Sequence, residues 1–186
     1  MSNTLIGFGI RGAQILFAII ILGLSSTLIK GHDHVKGLDI DIDKYVSNLP
    51  ITLGFAAFVG AATLVGALVG VAAHFFDRIN ERIMQGIDGF VLGVNLAGGL
   101  LIALKLKNAN CAKSDLAYRQ NKLAKIDILR GGCDGDGECL YDTSLPWSGK
   151  LNERCKMSQA DSAFMFLTVI ILAAWLIITW VHLRRK

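Results

Sequence analysis

The sequence predicts an all-α four-helix transmembrane bundle with a long, disulfide-bearing second outer loop. Three observations predict it. Of 186 residues, 53% are hydrophobic and 18% charged, whereas soluble domains sit near 45–50% and about 25%. The apolar residues collect in four blocks close to bilayer length. All four cysteines fall in one interval between blocks. Disorder is excluded because the chain is too apolar. Collagen is excluded because 20 Gly accompany 2 Pro without a triplet period. Four cysteines in this length are too few for a small disulfide scaffold.

Crossing the hydrocarbon core takes about 20 apolar residues at about 1.5 Å each. Gly12–Ile29 carries no charge and predicts a first helix over about 8–29. A cleaved signal has an apolar core of about 7–15 residues and a small-residue cleavage site. This block is longer, and Leu24-Ser25-Ser26-Thr27 is a poor cleavage context, so the block is expected to remain a helix. An outer loop over 30–48 follows, with Asp39, Asp41, Asp43 and Lys44. Leu49–Phe76, interrupted by Thr52, Thr63 and His74, predicts a second helix over 49–76. The tight turn Asp77–Arg82 leads to a third helix over 83–106, which contains Gln85, Asp88 and Asn95. The second outer loop spans 107–158, and uncharged Ser162–Val181 predicts a fourth helix over about 160–182. None of these helices carries the charged stripe of a soluble bundle. Residues 1–186 are expected to form one membrane domain, with charge confined to loops and tails except at Arg11 and Asp88.

Four crossings place both termini on the side of the Asp77–Arg82 turn. Basic residues do not decide which side that is. Three lysines lie in the first outer loop and ten Lys or Arg between Lys105 and Lys156, a count that points against cytoplasmic termini. Long loops weigh little in the positive-inside rule, yet Lys30, Lys105 and Lys107 lie close to helix ends. The cysteines point further. Cys111, Cys133, Cys139 and Cys155 share one loop without a close C-x2-C pair, which disfavours zinc. An even count there reads as two disulfides in an oxidising compartment. The loop is then lumenal or extracellular and both termini cytoplasmic. Three pairings are possible. The nested one, Cys111–Cys155 with Cys133–Cys139, is preferred because it staples the helix-proximal ends of the loop.

Several local patterns carry a family resemblance. The first helix reads Arg11-Gly12-Ala13-Gln14, then Leu22-Gly23-Leu24-Ser25. The third reads Ile87-Asp88-Gly89-Phe90, then Asn95-Leu96-Ala97-Gly98-Gly99. The fourth is approached by Glu153-Arg154-Cys155-Lys156, then Gln159-Ala160 and Ala163-Phe164. With four helices and a cysteine-bearing second outer loop, the chain resembles the MARVEL domain over nearly its whole length. The patterns are most similar to the fungal branch associated with non-classical export and eisosomes. The segment Ile126–Trp147 departs from it by being longer. The resemblance implies a tetraspan protein that organises lateral domains of the plasma membrane or takes part in trafficking. It also implies contact with sterol and sphingolipid.

Candidate site residues follow from their cost inside a bilayer. A carboxylate at the bilayer centre costs about 2.5–3.5 kcal/mol on insertion scales. Asp88 lies about 9 Å along the helix from Arg82. It is expected to pair with Arg11 or Gln14, which lie at similar depth on the first helix. Asn95 is expected to hydrogen-bond another helix, and His74 to be an ordinary interfacial residue. Ala62, Gly66 and Gly70 on the second helix and Gly89, Gly93 and Ala97 on the third have small-xxx-small spacing, which permits close helix approach within the bundle or self-association. Cys133-Asp134-Gly135-Asp136-Gly137-Glu138-Cys139 lacks the glycine position and closing Glu of an EF-hand and reads as a tight disulfide turn. His32 and His34 lack further ligands, and no metal or cofactor is expected. Trp180, beside the basic tail, is a plausible interface anchor.

The chain contains no G-x-S-x-G, Walker loop or HExxH, so no enzyme activity is expected. Its basic residues divide between two sides of a membrane, which argues against nucleic acid. The expected role is non-catalytic organisation of plasma-membrane lateral domains, or trafficking, through lipid and protein contacts. Homo-oligomers or a larger membrane partner are possible. The alternatives are an accessory subunit of a larger membrane enzyme or pump, and a small transporter or channel using Asp88 and His74.

Overall fold

The computed structural model describes residues 2–30, 50–75, 81–130 and 148–184. Long apolar runs without internal proline propagate as helices: α1 (Ser2–Lys30), α2 (Ile51–Phe75), α3 (Glu81–Leu106) and α5 (Ser148–Arg184). Between α3 and α5 lie a short helix α4 (Leu116–Asn121) and a 3-10 turn (Leu123–Lys125). Four of the helices are long and apolar enough to cross a membrane, over Gly7–Ile29, Ile51–Ala73, Arg82–Leu106 and Gly149–Val181. Among the described residues there is no strand. The architecture is an all-α four-helix transmembrane bundle.

The helices form a ring. α1 packs against α2 and α5, and α3 packs against α2 and α5. Across the ring, α1 faces α3 and α2 faces α5 without close backbone approach among the described residues. Neighbours run antiparallel. Gly60 meets Ile21 and Leu22 while Gly70 meets Arg11, and Gly66 meets Val91 while Thr63 meets Asn95. One end of the bundle therefore holds Arg11 and Asp88 and is called here the tail end. The other leads to the α3–α5 connection and is called the cap end.

Glycine decides how closely the backbones approach at two places. A Cβ on Gly60 would lie 2.9 Å from Leu22 Cγ, so α1 and α2 come together there. A Cβ on Gly98 would lie 3.0 Å from Met165 Sδ and 3.1 Å from Val59 Cγ2, where α2, α3 and α5 meet. Leu16, Ile19, Phe58, Val65, Phe90, Leu100, Ile170 and Ile177 are exposed around the bundle, as apolar side chains facing lipid would be.

Hydropathy starts the last helix near 160, whereas α5 begins at Ser148, about three turns earlier. At 37 residues it is about 55 Å long, against a hydrocarbon core of about 30 Å. Its first turns are amphipathic. Leu151 and Cys155 are buried while Lys150, Glu153 and Lys156 are exposed. The apolar side of these turns packs on Cys111, Leu123, Ile128 and Leu129 to make a small core continuous with that of the bundle. The expected 107–158 loop thus contains α4, the 3-10 turn and the start of α5. Cys133, Cys139, His32, His34 and most of Ile126–Trp147 lie outside the described residues.

Candidate functional site

The polar side chains of the spans lie in layers along the bundle axis. At the tail end, Arg11 on α1 reaches across the ring to Asp88 on α3. Nη1 donates to Oδ1 and Nη2 to Oδ2, both at 2.6 Å. Arg11 is 4% exposed and Asp88 1%. Such a bidentate fork is the strongest form of side-chain pairing, because both hydrogen bonds are charge-assisted and planar. Nη1 also donates to Gln14 Oε1 at 2.9 Å, one turn along α1. Gln14 Nε2 is buried without a partner among the described residues.

The pair needs room in the middle of the ring, and Gly70 on α2 supplies it. A Cβ there would lie 2.5 Å from Arg11 Cζ. Gly66, one turn away, receives Val91 of α3, whose Cγ2 would lie 2.8 Å from an added Cβ. The small residues of α2 are therefore used within the bundle, and Ala62 is half-buried. Those of α3 are not. Gly89, Gly93 and Ala97 are exposed, and an added Cβ at Gly89 or Gly93 would meet nothing within 4 Å. The side chain of His74 lies outside the described residues.

About 10 Å further along α3, Asn95 Nδ2 donates to Thr63 Oγ1 on α2 at 2.7 Å and to Val91 O at 2.8 Å. Thr63 Oγ1 donates in turn to Val59 O. Interhelical bonds of this kind average about 0.6 kcal/mol. They set the register of α2 against α3.

The third layer, toward the cap end, contains residues that the sequence did not single out. Ser25 Oγ on α1 donates to Asp161 Oδ2 on α5 at 3.0 Å, with both residues 0% exposed. Ser162 Oγ donates to Gly99 O of α3 at 2.9 Å. Arg11 and Asp88 are therefore not the sole charged residues inside the spans. Asp161 lies immediately before the uncharged Ser162–Val181 run and reads there as its flank. The early start of α5 is what carries it into the bundle.

Above this layer the cap is held by side chains on backbone. Cys111 and Cys155 form a disulfide, with Cα atoms 5.4 Å apart, that ties the α3–α4 connection to α5. One turn before Cys155, Asn152 Nδ2 donates to Cys111 O at 3.0 Å and Lys113 O at 2.7 Å, and its Oδ1 accepts from Arg119 Nε at 2.6 Å. Arg154 Nη2 donates to Ile128 O. Tyr118 Oη accepts from the Asn110 N–H at 2.7 Å. Lys105 pairs with Asp127 at 3.0 Å on the surface, where such pairs contribute little. At the far end of α5, Arg184 lies 3.8 Å from the Trp180 ring centroid, a polar and aromatic anchor suited to a membrane interface.

Among the described residues, no group of three or more His, Cys, Asp or Glu is placed to hold a metal ion. Buried polar side chains tie helix to helix at Arg11–Asp88, Asn95–Thr63, Ser25–Asp161 and Ser162–Gly99, the cap is braced by a disulfide, and the outer faces are apolar. This combination defines a tetraspan integral membrane protein. The chain belongs to the MARVEL family: the family model, described as a membrane-associating domain, matches residues 4–178. No curated protein and no solved structure matches the chain.

Proposed function

We propose that this MARVEL protein is a non-catalytic organiser of lateral domains in the plasma membrane, in the manner of the fungal branch associated with non-classical export and eisosomes. The observation that carries the reading is the division of labour between its small residues. Gly66 and Gly70 serve the bundle, while Gly86, Gly89, Gly93 and Ala97 form an open strip on α3 bordered by Phe90, Leu100 and Leu104. A shallow, apolar strip of this kind suits a flat sterol ring or a second helix. In this reading the cap is extracellular or lumenal, because a disulfide persists in an oxidising compartment, and both termini are cytoplasmic.

The test is the lateral distribution of a fluorescently tagged chain in living cells. Wild type is expected in patches that disperse on sterol or sphingolipid depletion. Gly89→Leu with Gly93→Leu should disperse them without lowering expression. A uniform distribution, unchanged by depletion and by the double substitution, would refute the proposal. A terminal tag inaccessible in intact cells, with the cap accessible to amine reagents, is the expected topology.

A further inference from the structure

The two buried carboxylates of the spans are treated differently. Asp88 has a guanidinium on both oxygens. Asp161 has one hydroxyl on Oδ2, while its Oδ1 is fully buried with no hydrogen-bond partner. Ser158, one helical turn earlier on the same face of α5, is 1% exposed, and its Oγ is also unpartnered. Apolar side chains enclose the layer. Ile21 and Leu28 flank Ser25 by one turn on either side, and Met165 follows Asp161 by one turn, each 0–1% exposed.

On α5, Lys156 is exposed, and Arg154 lies two turns from Asp161 and donates to Ile128 O. On α3, Lys105 is exposed and paired with Asp127. On α1, Arg11 is held by Asp88 at the other end of the bundle. A carboxylate taken out of water without a paired charge is among the costliest arrangements in a protein interior.

We infer that Asp161, with Ser25 and Ser158, forms a site for a small monovalent cation, a proton or a sodium-sized ion, at the junction of α1 and α5. Asp161 supplies the charge and a free oxygen, and the two serine hydroxyls supply neutral oxygens. Hard cations of this kind take oxygen donors. Ser162, the next residue, holds Gly99 of α3. Occupancy therefore bears on three helices at once, directly beneath the disulfide-braced cap.

The test is thermal unfolding of the purified full-length protein in detergent, in two arms. The first exchanges sodium for N-methylglucamine at constant ionic strength and fixed alkaline pH. The second varies pH from 5 to 9 without sodium. A sodium site is expected to raise the wild-type midpoint by several degrees in the first arm. A proton site is expected to lower it as pH rises in the second. In either case Asp161→Asn should remove the dependence, and Ser25→Ala should weaken it. The inference is overturned if wild type responds to neither cation, as a water-bridged carboxylate would. It is also overturned if wild type and Asp161→Asn respond alike. Should Asp161→Asn fail to fold, Ser158→Ala with Ser25→Ala takes its place, and an unchanged dependence there overturns the assignment of the hydroxyls.

Discussion

Replacing Arg11 with leucine leaves Asp88 buried at 1% exposure with both carboxylate oxygens stripped of their donors. Gln14 Oε1 loses its donor as well. Removing one partner of a buried ion pair costs about 3–5 kcal/mol, because the remaining charge is left uncompensated. Asp88→Leu should cost a similar amount by stranding the guanidinium. The double variant Arg11→Leu/Asp88→Leu should recover most of the loss, since replacing both members by apolar residues is often close to neutral. The two sites must therefore couple by more than about 2 kcal/mol, well above the ~0.3–0.5 kcal/mol scatter of independent sites. The assay is denaturant unfolding in mixed micelles, followed by the fluorescence of Trp147, Trp175 and Trp180. Single substitutions that each cost less than about 1 kcal/mol and add without coupling would refute the reasoning. The pair would then be no more than a surface-grade contact.

Three further outcomes follow from the same geometry. Gly70→Ala should destabilise the bundle, because its Cβ would lie 2.5 Å from Arg11 Cζ, whereas Gly93→Ala meets open space and should be close to neutral. Parallel melts of the two variants check this. Breaking the 44-residue disulfide loop with Cys155→Ser should remove about 4 kcal/mol on the loop-entropy scale. The loss should appear as protease cleavage between Leu106 and Ser148 while the spans stay protected. Asn152→Leu removes the donor to the Cys111 and Lys113 carbonyls and the Oδ1 that accepts from Arg119 Nε. It should raise the same cleavage by a smaller factor than Cys155→Ser, as limited proteolysis would show.

The spans were legible because hydrocarbon admits few alternatives: a run such as Gly12–Ile29 without charge can satisfy its backbone there only as a helix. Asp88 and Arg11 stood out for the same reason, since each interrupts an otherwise apolar helix. Asp161 did not, because a charge at the edge of an apolar block looks like its flank. Only the backward extension of α5 to Ser148 brings it inside. Asn152 was hidden differently. Its role depends on carbonyls of the α3–α4 connection, more than thirty residues away, and backbone acceptors leave no trace in residue identity. The opposite uses of the glycines on α2 and α3 were also beyond spacing alone. Both helices carry the same four-residue period, and only the ring order decides which strip meets a neighbour.

Lipid tails are as apolar as leucine, so helices in a membrane are held by close packing and polar bonds rather than by hydrophobic burial. The bonds here are unevenly shared. At the tail end Arg11 crosses the ring to Asp88 over Gly70, which fixes α1, α2 and α3 in one layer. Asn95 and Thr63 add a second tie between α2 and α3. The polar ties of α5 all lie toward the cap: Asp161 to Ser25, Ser162 to Gly99, Asn152 to the α3–α4 connection, and the Cys111–Cys155 bridge. Further down, Thr168 and Thr179 bond to carbonyls of α5 itself, so among the described residues that half rests on packing alone. Within the ring, polar bonds thus lock α1, α2 and α3 to one another at the tail end and hold α5 at the cap end. A change at Asp161 or at the disulfide therefore acts on the end where α5 is clamped.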